Sequence, residues 1–333
     1  MLWFKELTGF LEESTENVHN HLGIKGDAMV SKVNGRSFQM GSLEIPSLNE
    51  LRERNTLTAE TTRIIQVSEI VGDVQKMHQD PENENALFQA ASQFNLLEMV
   101  DPSVSPAAGI NRYENDHTQG PACAIACGAG TIYRNYFVPL ENQLGQTGGL
   151  QIDTLKDIGK SLGNIDKSLW KMSNGYALAS QDGILKINKT LASLTPEEYY
   201  ELQGRLQVGI QWNTEVTLGN TNHTVSQVYC SALPVAYSQL ESYYWERFAC
   251  LVLSATYEAT LYAGLENYQK TGSKLVYLTL VGGGAFGNDS DWIEDAIISA
   301  LHKFSGSLLD IRIVSYGASK ESVRRICKDF QVD

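Results

Sequence analysis

The chain reads as an α/β protein built on a central sheet with helices on both faces. Three observations predict this. Strand-like and helical segments alternate along most of the 333 residues. The strand-like runs are apolar almost throughout, as strands buried on both faces are. A hydrophobic fraction of 42% supplies the core such a sheet needs.

Residues 1–60 read as an extension packed on the main domain. WFKELTGFLEESTENVHNHL carries amphipathic helical signals, and VNGRSFQMGSLEIPSLNELRERN is turn-rich, with Asn34-Gly35 as a hairpin turn. RIIQVSEIV is the first core strand; a turn at Gly72, a short helix to His78 and a break at Pro81 follow. ALFQAAS is a second buried strand, and QGPACAIACGAGTIYRNYF is a long apolar helix that begins in small residues. Residues 140–240 are less regular and read as an insertion. They hold a Gly-rich segment, a helix ending near KMSNGYAL, and strand-like LQVGIQW and VSQVYCSALPV. YWERFACLVLSATYEATLYAGLENYQ is then a long helix, before the strand KLVYLTL, the helix DWIEDAIISALHKF and a last strand, LLDIRIVSYG. The expected sheet has about six strands, and residues 61–333 form one domain around it.

Charge and composition remove several classes of function. A formal net charge of −13, with no basic patch, argues against a nucleic-acid partner. No window is expected to span a membrane, and the N-terminus lacks a basic region ahead of an apolar stretch. The expected location is therefore cytoplasmic. Cys123, Cys127, Cys230, Cys250 and Cys327, an odd number, fit reduced thiols, and no zinc-type spacing is present. No metal and no cofactor are expected.

The chemical signal lies in turns that follow strands. In KLVYLTLVGGGAFGNDSDWI an apolar run ends on Gly282, Gly283 and Gly284, the residues that lose most conformational freedom on folding. Successive backbone N–H groups in such a turn can cradle an anion. In DHTQGPACAIACGAGT, Gly120 opens a helix whose first N–H groups lack intrahelical acceptors, which with the macrodipole favours phosphate. Pro121 sits where a missing N–H costs nothing. The plain alternative is that these are tight strand-to-helix turns.

Three segments together, in order and strand context, resemble the macrodomains, whose three-layer α/β/α fold binds ADP-ribose. Val71-Gly72-Asp73-Val74 is similar to the family's strand-Gly-Asp turn. The resemblance implies that Asp73, with Val74 beside it, accepts a hydrogen bond from the adenine amino group. NALFQAASQFNLLEM is similar to the strand that leads to the distal ribose, with Ser92 in place of the family's Asn, and Asn95 nearby. Gln119 and Gly120 match the first phosphate loop; Gly283, Gly284, Ala285, Phe286, Gly287 and Asn288 match the second, with Phe286 against a ribose or the adenine. ALFQ-A-SQFNLLEM, TQGPACA, C-SALPVAYS and LTL-GGGAFGN mark a divergent branch, more distantly similar to the Legionella effector MavL, which removes ADP-ribose from arginine of ubiquitin. The resemblance therefore implies an ADP-ribosyl hydrolase, with ADP-ribose as ligand or product and an ADP-ribosylated protein, ubiquitin included, as partner. For a secreted effector the location would be the host cytosol. A non-catalytic ADP-ribose reader and a sensor of an NAD-derived nucleotide are the alternatives.

Cleaving a ribose–guanidinium bond needs a carboxylate to activate water or to brace the sugar's developing charge. Asp116, on the loop before Gly120, is the first candidate for general base, and an N-cap role competes with it. Glu215, in WNTEVT, is the second. Asp101 and Glu114 could assist with an arginine side chain, His117 could touch phosphate, and Asp289 and Asp291 should face outward or cap the next helix.

Overall fold

The computed structural model describes residues 2–55, 57, 65–219 and 221–330. Seven strands form the central sheet: β1 (Ser42–Glu44), β2 (Gln66–Val71), β3 (Leu87–Ala91), β4 (Gly209–Glu215), β5 (Thr224–Cys230), β6 (Leu275–Leu278) and β7 (Asp310–Ser315). Their order across the sheet is β1-β4-β5-β3-β6-β7-β2. β5, β3, β6, β7 and β2 run parallel, while β4 is antiparallel to both β5 and β1. The sheet is thus a five-stranded parallel block with an antiparallel margin. The expected start of β2 at Arg63-Ile64 lies outside the described residues.

Helices cover both faces. On one face lie α4 (Glu246–Thr271), α5 (Ser290–Lys303) and α6 (Glu321–Asp329), meeting Leu87, Val228, Val276, Ile311 and Ile313. On the other, α1 (Val74–Gln79) and α2 (Gln119–Ala126) meet Phe88, Tyr229 and Tyr277. Neighbouring residues such as Leu87 and Phe88 therefore enter different cores, the period-2 consequence of a strand buried on both sides. The rings of His78, Phe88 and Tyr277 stack at 3.8 and 4.5 Å beneath α1.

Several segments depart from the sequence reading. Residues 209–230, read as strand-like within the less regular middle, supply β4 and β5 of the sheet. The extension likewise contributes the edge strand β1, and its Asn34-Gly35 turn joins an antiparallel pair, Ala28–Ser31 and Ser37–Gln39. KMSNGYAL does not end a helix. Asn174 and Gly175, with φ of 46° and 85°, close a hairpin between Trp170–Ser173 and Tyr176–Ala179. The helix expected from 119 to 137 breaks at Cys127, where Thr217 donates its N–H to Ala126 O at 2.8 Å and its hydroxyl accepts from the Gly128 N–H at 2.9 Å. Trp3 and Leu7 pack so close to Gly128 that a Cβ there would meet them at 2.9 and 2.8 Å. By length and a mean hydropathy of 1.3, α4 could cross a membrane, contrary to expectation, yet 83% of that stretch is buried inside the protein as the core helix.

Candidate functional site

Because five strands run parallel, Val71, Ala91, Cys230, Leu278 and Ser315 end at one edge of the sheet. That edge is where an α/β sheet binds ligands, since the turns leaving it carry helix N-termini. A cavity of about 1080 Å³ opens there, with a smaller one of about 160 Å³ beside it. Asp116, Thr118, Gln119, Thr279, Leu280 and Gly284 line both, so the two are compartments of one cleft.

The large compartment begins at Asp73, the N-cap of α1, whose Oδ1 accepts from the Gln75 N–H at 2.9 Å. Gly72, Asp73 and Val74 line it, beside Val314 near the end of the neighbouring strand β7 and Tyr316 just after it. Asn288 lines it too, buried, with Nδ2 donating to Leu233 O at 2.8 Å; its Oδ1 has no hydrogen-bond partner. Glu114 and His117 lie on the same wall.

Two sets of backbone donors face the junction. At the start of α2, Thr118 is the N-cap, so the N–H groups of Gln119 and Gly120 have no intrahelical acceptor. The Gln119 side chain locks this turn to β3, its Oε1 accepting from Ala91 N at 2.9 Å and its Nε2 donating to Gln89 O at 2.8 Å. Opposite, the loop after β6 is folded by Gly282 and Gly287, with φ of 81° and 68°, and by the bond from Asn288 N to Gly282 O at 2.9 Å. Among the described residues the N–H groups of Gly284, Ala285 and Phe286 meet no protein acceptor. The loop and the helix start, more than 150 residues apart in sequence, thus both line one cleft.

The small compartment is lined by Ser92, Gly120, Ala285 and Phe286, and by three side chains that sequence reasoning missed: Tyr176, Tyr237 and Glu98. Phe286 packs against both tyrosines at 5.3 and 5.8 Å, which puts it beside the small compartment. Tyr176 is held by its hydroxyl, which donates to Met99 O at 2.6 Å. Asn174-Gly175 was the available signal for Tyr176, since a hairpin tip there carries the next residue to the cleft. Glu98 had none, lying inside the apolar run FNLLEMV.

Asp116 reaches both compartments, and its Oδ1 accepts from the Thr118 N–H at 2.9 Å. It therefore braces the turn before α2 without being the helix N-cap, which is Thr118, and it still lines the cleft. Glu98 is 5% exposed and its Oε1 has no partner. Burial raises its carboxyl well above the usual range and Asp116 adds to the rise, while the Arg134 charge opposes it. That arginine is itself buried, donating to Thr131 Oγ1 at 3.0 Å and Leu96 O at 3.2 Å, with the Tyr229 ring 3.6 Å away.

Glu215, Asn95 and Gly287 do not line the cleft. Glu215 ends β4, whose antiparallel direction carries it beside Thr224 at the start of β5, the opposite edge of the sheet. There its Oε2 accepts from Gln39 N at 2.8 Å. Asn95 is fully buried under the loop that follows β3, its Oδ1 accepting from Leu97 N at 3.1 Å and its Nδ2 donating to Gln151 Oε1 at 2.9 Å. Gly287 shapes its loop without lining either compartment. Asp101 is exposed and accepts from the Ser103 N–H at 2.7 Å; Asp289 caps α5, accepting from Asp291 N at 2.9 Å. Among the described residues no group of three or more His, Cys, Asp or Glu could hold a metal ion.

No protein-family model matches the chain, and no curated protein does. Among solved structures it is similar to poly(ADP-ribose) glycohydrolase from Thermomonospora curvata, with 12% identity, a TM-score of 0.47, and 95% of this chain and 96% of that chain covered. The Thermomonospora enzyme bound to the inhibitor ADP-HPD gives 11% identity and 0.44, covering 94% of each chain. The Deinococcus radiodurans glycohydrolase in complex with ADP-ribose gives 9% and 0.42, covering 86% of this chain and 94% of that one.

Proposed function

We propose that the chain binds ADP-ribose in this cleft and hydrolyses the bond between its distal ribose and a protein acceptor, arginine in the first instance, as the MavL-like motifs imply. Ubiquitin is the acceptor protein those motifs suggest. One observation carries the reading: two separate sets of unpartnered backbone N–H groups, at Gln119-Gly120 and Gly284–Phe286, flank the junction of two compartments. Donors of that kind suit a diphosphate in a protein of net charge −13, because they attract an anion without needing a basic side chain. The large compartment then takes the adenosine, with Asp73 accepting from the adenine amino group. The small one takes the distal ribose, against Phe286 and Ser92.

Within that arrangement Asp116 accepts a proton from the attacking water. The C1–N bond breaks with its electron pair going to nitrogen, and the guanidine leaves. A reader without turnover is the second reading, favoured by the use of one Asp116 oxygen in the turn to Thr118. Incubation with arginine-linked and acidic-residue-linked mono-ADP-ribosylated proteins, followed by measurement of free ADP-ribose, separates the two. Release from the arginine substrate is the expected result. Micromolar calorimetric binding of ADP-ribose without release would establish the reader.

A further inference from the structure

We infer that Glu98, a residue outside the recognisable phosphate and adenine motifs, is the proton donor to the leaving group, paired across the small compartment with Asp116. This rests on the hydrolase reading above. Glu98 and Asp116 both line the small compartment, yet their settings are opposite. Asp116 is partly exposed on a loop and accepts a backbone N–H. Glu98 is 5% exposed, is held at its own backbone by the Tyr113 hydroxyl, which accepts from Glu98 N at 2.9 Å, and leaves Oε1 without a partner.

Gly120 explains how that carboxyl reaches the cleft. A Cβ on Gly120 would lie 2.2 Å from Glu98 Oε2 and 2.0 Å from Ala91 O, so the glycine leaves the space the Glu98 carboxyl occupies at the start of α2. A carboxyl beside the first turn of a helix, against the end of a core strand, is fixed by two rigid elements. Burial holds the proton on Glu98 to well above the usual carboxyl range, and a buried carboxyl beside a partly exposed one in the same compartment is the arrangement that supplies the acid and base of a glycosidic cleavage.

The steps balance. The C1–N bond breaks with its electron pair going to nitrogen, which takes the Glu98 proton and leaves as a guanidinium. Water adds to C1 and gives a proton to Asp116. Solvent then returns that proton to Glu98, and the net reaction consumes one water.

Glu98→Gln keeps the shape and removes the proton. With an arginine-linked mono-ADP-ribosylated protein, kcat should fall about 100- to 10,000-fold, the range of a lost general acid. The Kd for ADP-ribose should stay within about threefold, an outcome a merely structural role would not give together with the loss of rate. The wild-type enzyme supplies a measurement that needs no variant: kcat should fall on the alkaline side as Glu98 loses its proton. A Glu98→Gln enzyme within about fivefold of wild type would overturn the assignment, as would a wild-type kcat that stays level through alkaline pH. Wild-type protein that binds ADP-ribose and releases none from any linkage would instead end the hydrolase reading, and the assignment with it.

Discussion

Two glycines, Gly120 and Gly284, line the small compartment of the cleft, and they are glycine for opposite reasons. At Gly120 the space a side chain would need is already filled, by Ala91 O and by the Glu98 carboxyl. At Gly284 nothing lies within 4 Å of where a Cβ would stand, and φ is not in the left-handed region. Gly120 is therefore a packing glycine that lets protein atoms meet. Gly284 keeps space open for something that is not protein. Both sit beside unpartnered N–H groups, so backbone amides alone do not distinguish a helix cap from a ligand wall; the presence or absence of a neighbour does.

The comparison breaks most visibly at Gly120. Gly120→Ala must displace a strand-end carbonyl that β3 cannot easily move, so it should cost about 3 kcal/mol, the upper part of the range for overpacking. Thermal melting should show it as a fall of roughly 4 °C, at about 2.1 cal/mol/K of unfolding entropy per residue over 333 residues. An unchanged melting temperature would mean that Ala91 O and the Glu98 carboxyl do not fill the space beside Gly120. Gly284→Trp should do the reverse. Its side chain enters empty cleft, so the melting temperature should hold while the Kd for ADP-ribose rises more than about 100-fold, as expected when the volume of a ligand group is occupied. A folded Gly284→Trp protein with native affinity would remove the diphosphate from this loop.

The glycines also mark what could be read from sequence. The Gly-Asp turn was legible because it is local, a strand end at Val71, a glycine and a helix start at Val74, and the other two segments because each glycine stands beside a helix start or a strand end. The fold was legible for the same reason over the parallel block, where Leu87–Ala91 and Leu275–Leu278 are apolar at every position or nearly so. Glu98 was not legible, since an acid inside FNLLEMV looks like an exposed residue at the end of an apolar run until Gly120 is seen to make room for it. Tyr176 reaches the cleft from a hairpin whose Asn174-Gly175 signal was overlooked in favour of helical spacing. Asn95 failed on a different ground: its turn consumes both ends of the amide, and nothing in the sequence says which polar groups a loop spends on itself.

Smaller effects sharpen the comparison at each end of the cleft. Asp73 caps α1 and lines the large compartment; on the proposed reading its carboxylate also accepts from adenine, so Asp73→Ala should weaken ADP-ribose binding by about 1–3 kcal/mol, the scale of a hydrogen bond to a charged group. Loss of the cap should also lower stability by about 1 kcal/mol. If affinity for ADP-ribose and for ribose 5-phosphate changed equally, Asp73 would be acting through the fold and not on the base.

The smallest effect is expected at Glu215, and it tests the sheet itself. The residue has the composition of a catalytic carboxylate, an acid among apolar and β-branched neighbours at a strand end, and it differs from Asp116 chiefly in which way its strand runs. β4 is antiparallel to β5, so its C-terminal end lies at the N-terminal edge of the parallel block, away from every turn that carries a free N–H wall. Glu215→Gln keeps an oxygen that can still accept from Gln39 N. Stability should therefore move by no more than about 0.5 kcal/mol, and the rate of ADP-ribose release should stay within about twofold of wild type. A drop of tenfold or more would require chemistry at both edges of one sheet, which strand direction forbids for a single ligand the size of ADP-ribose.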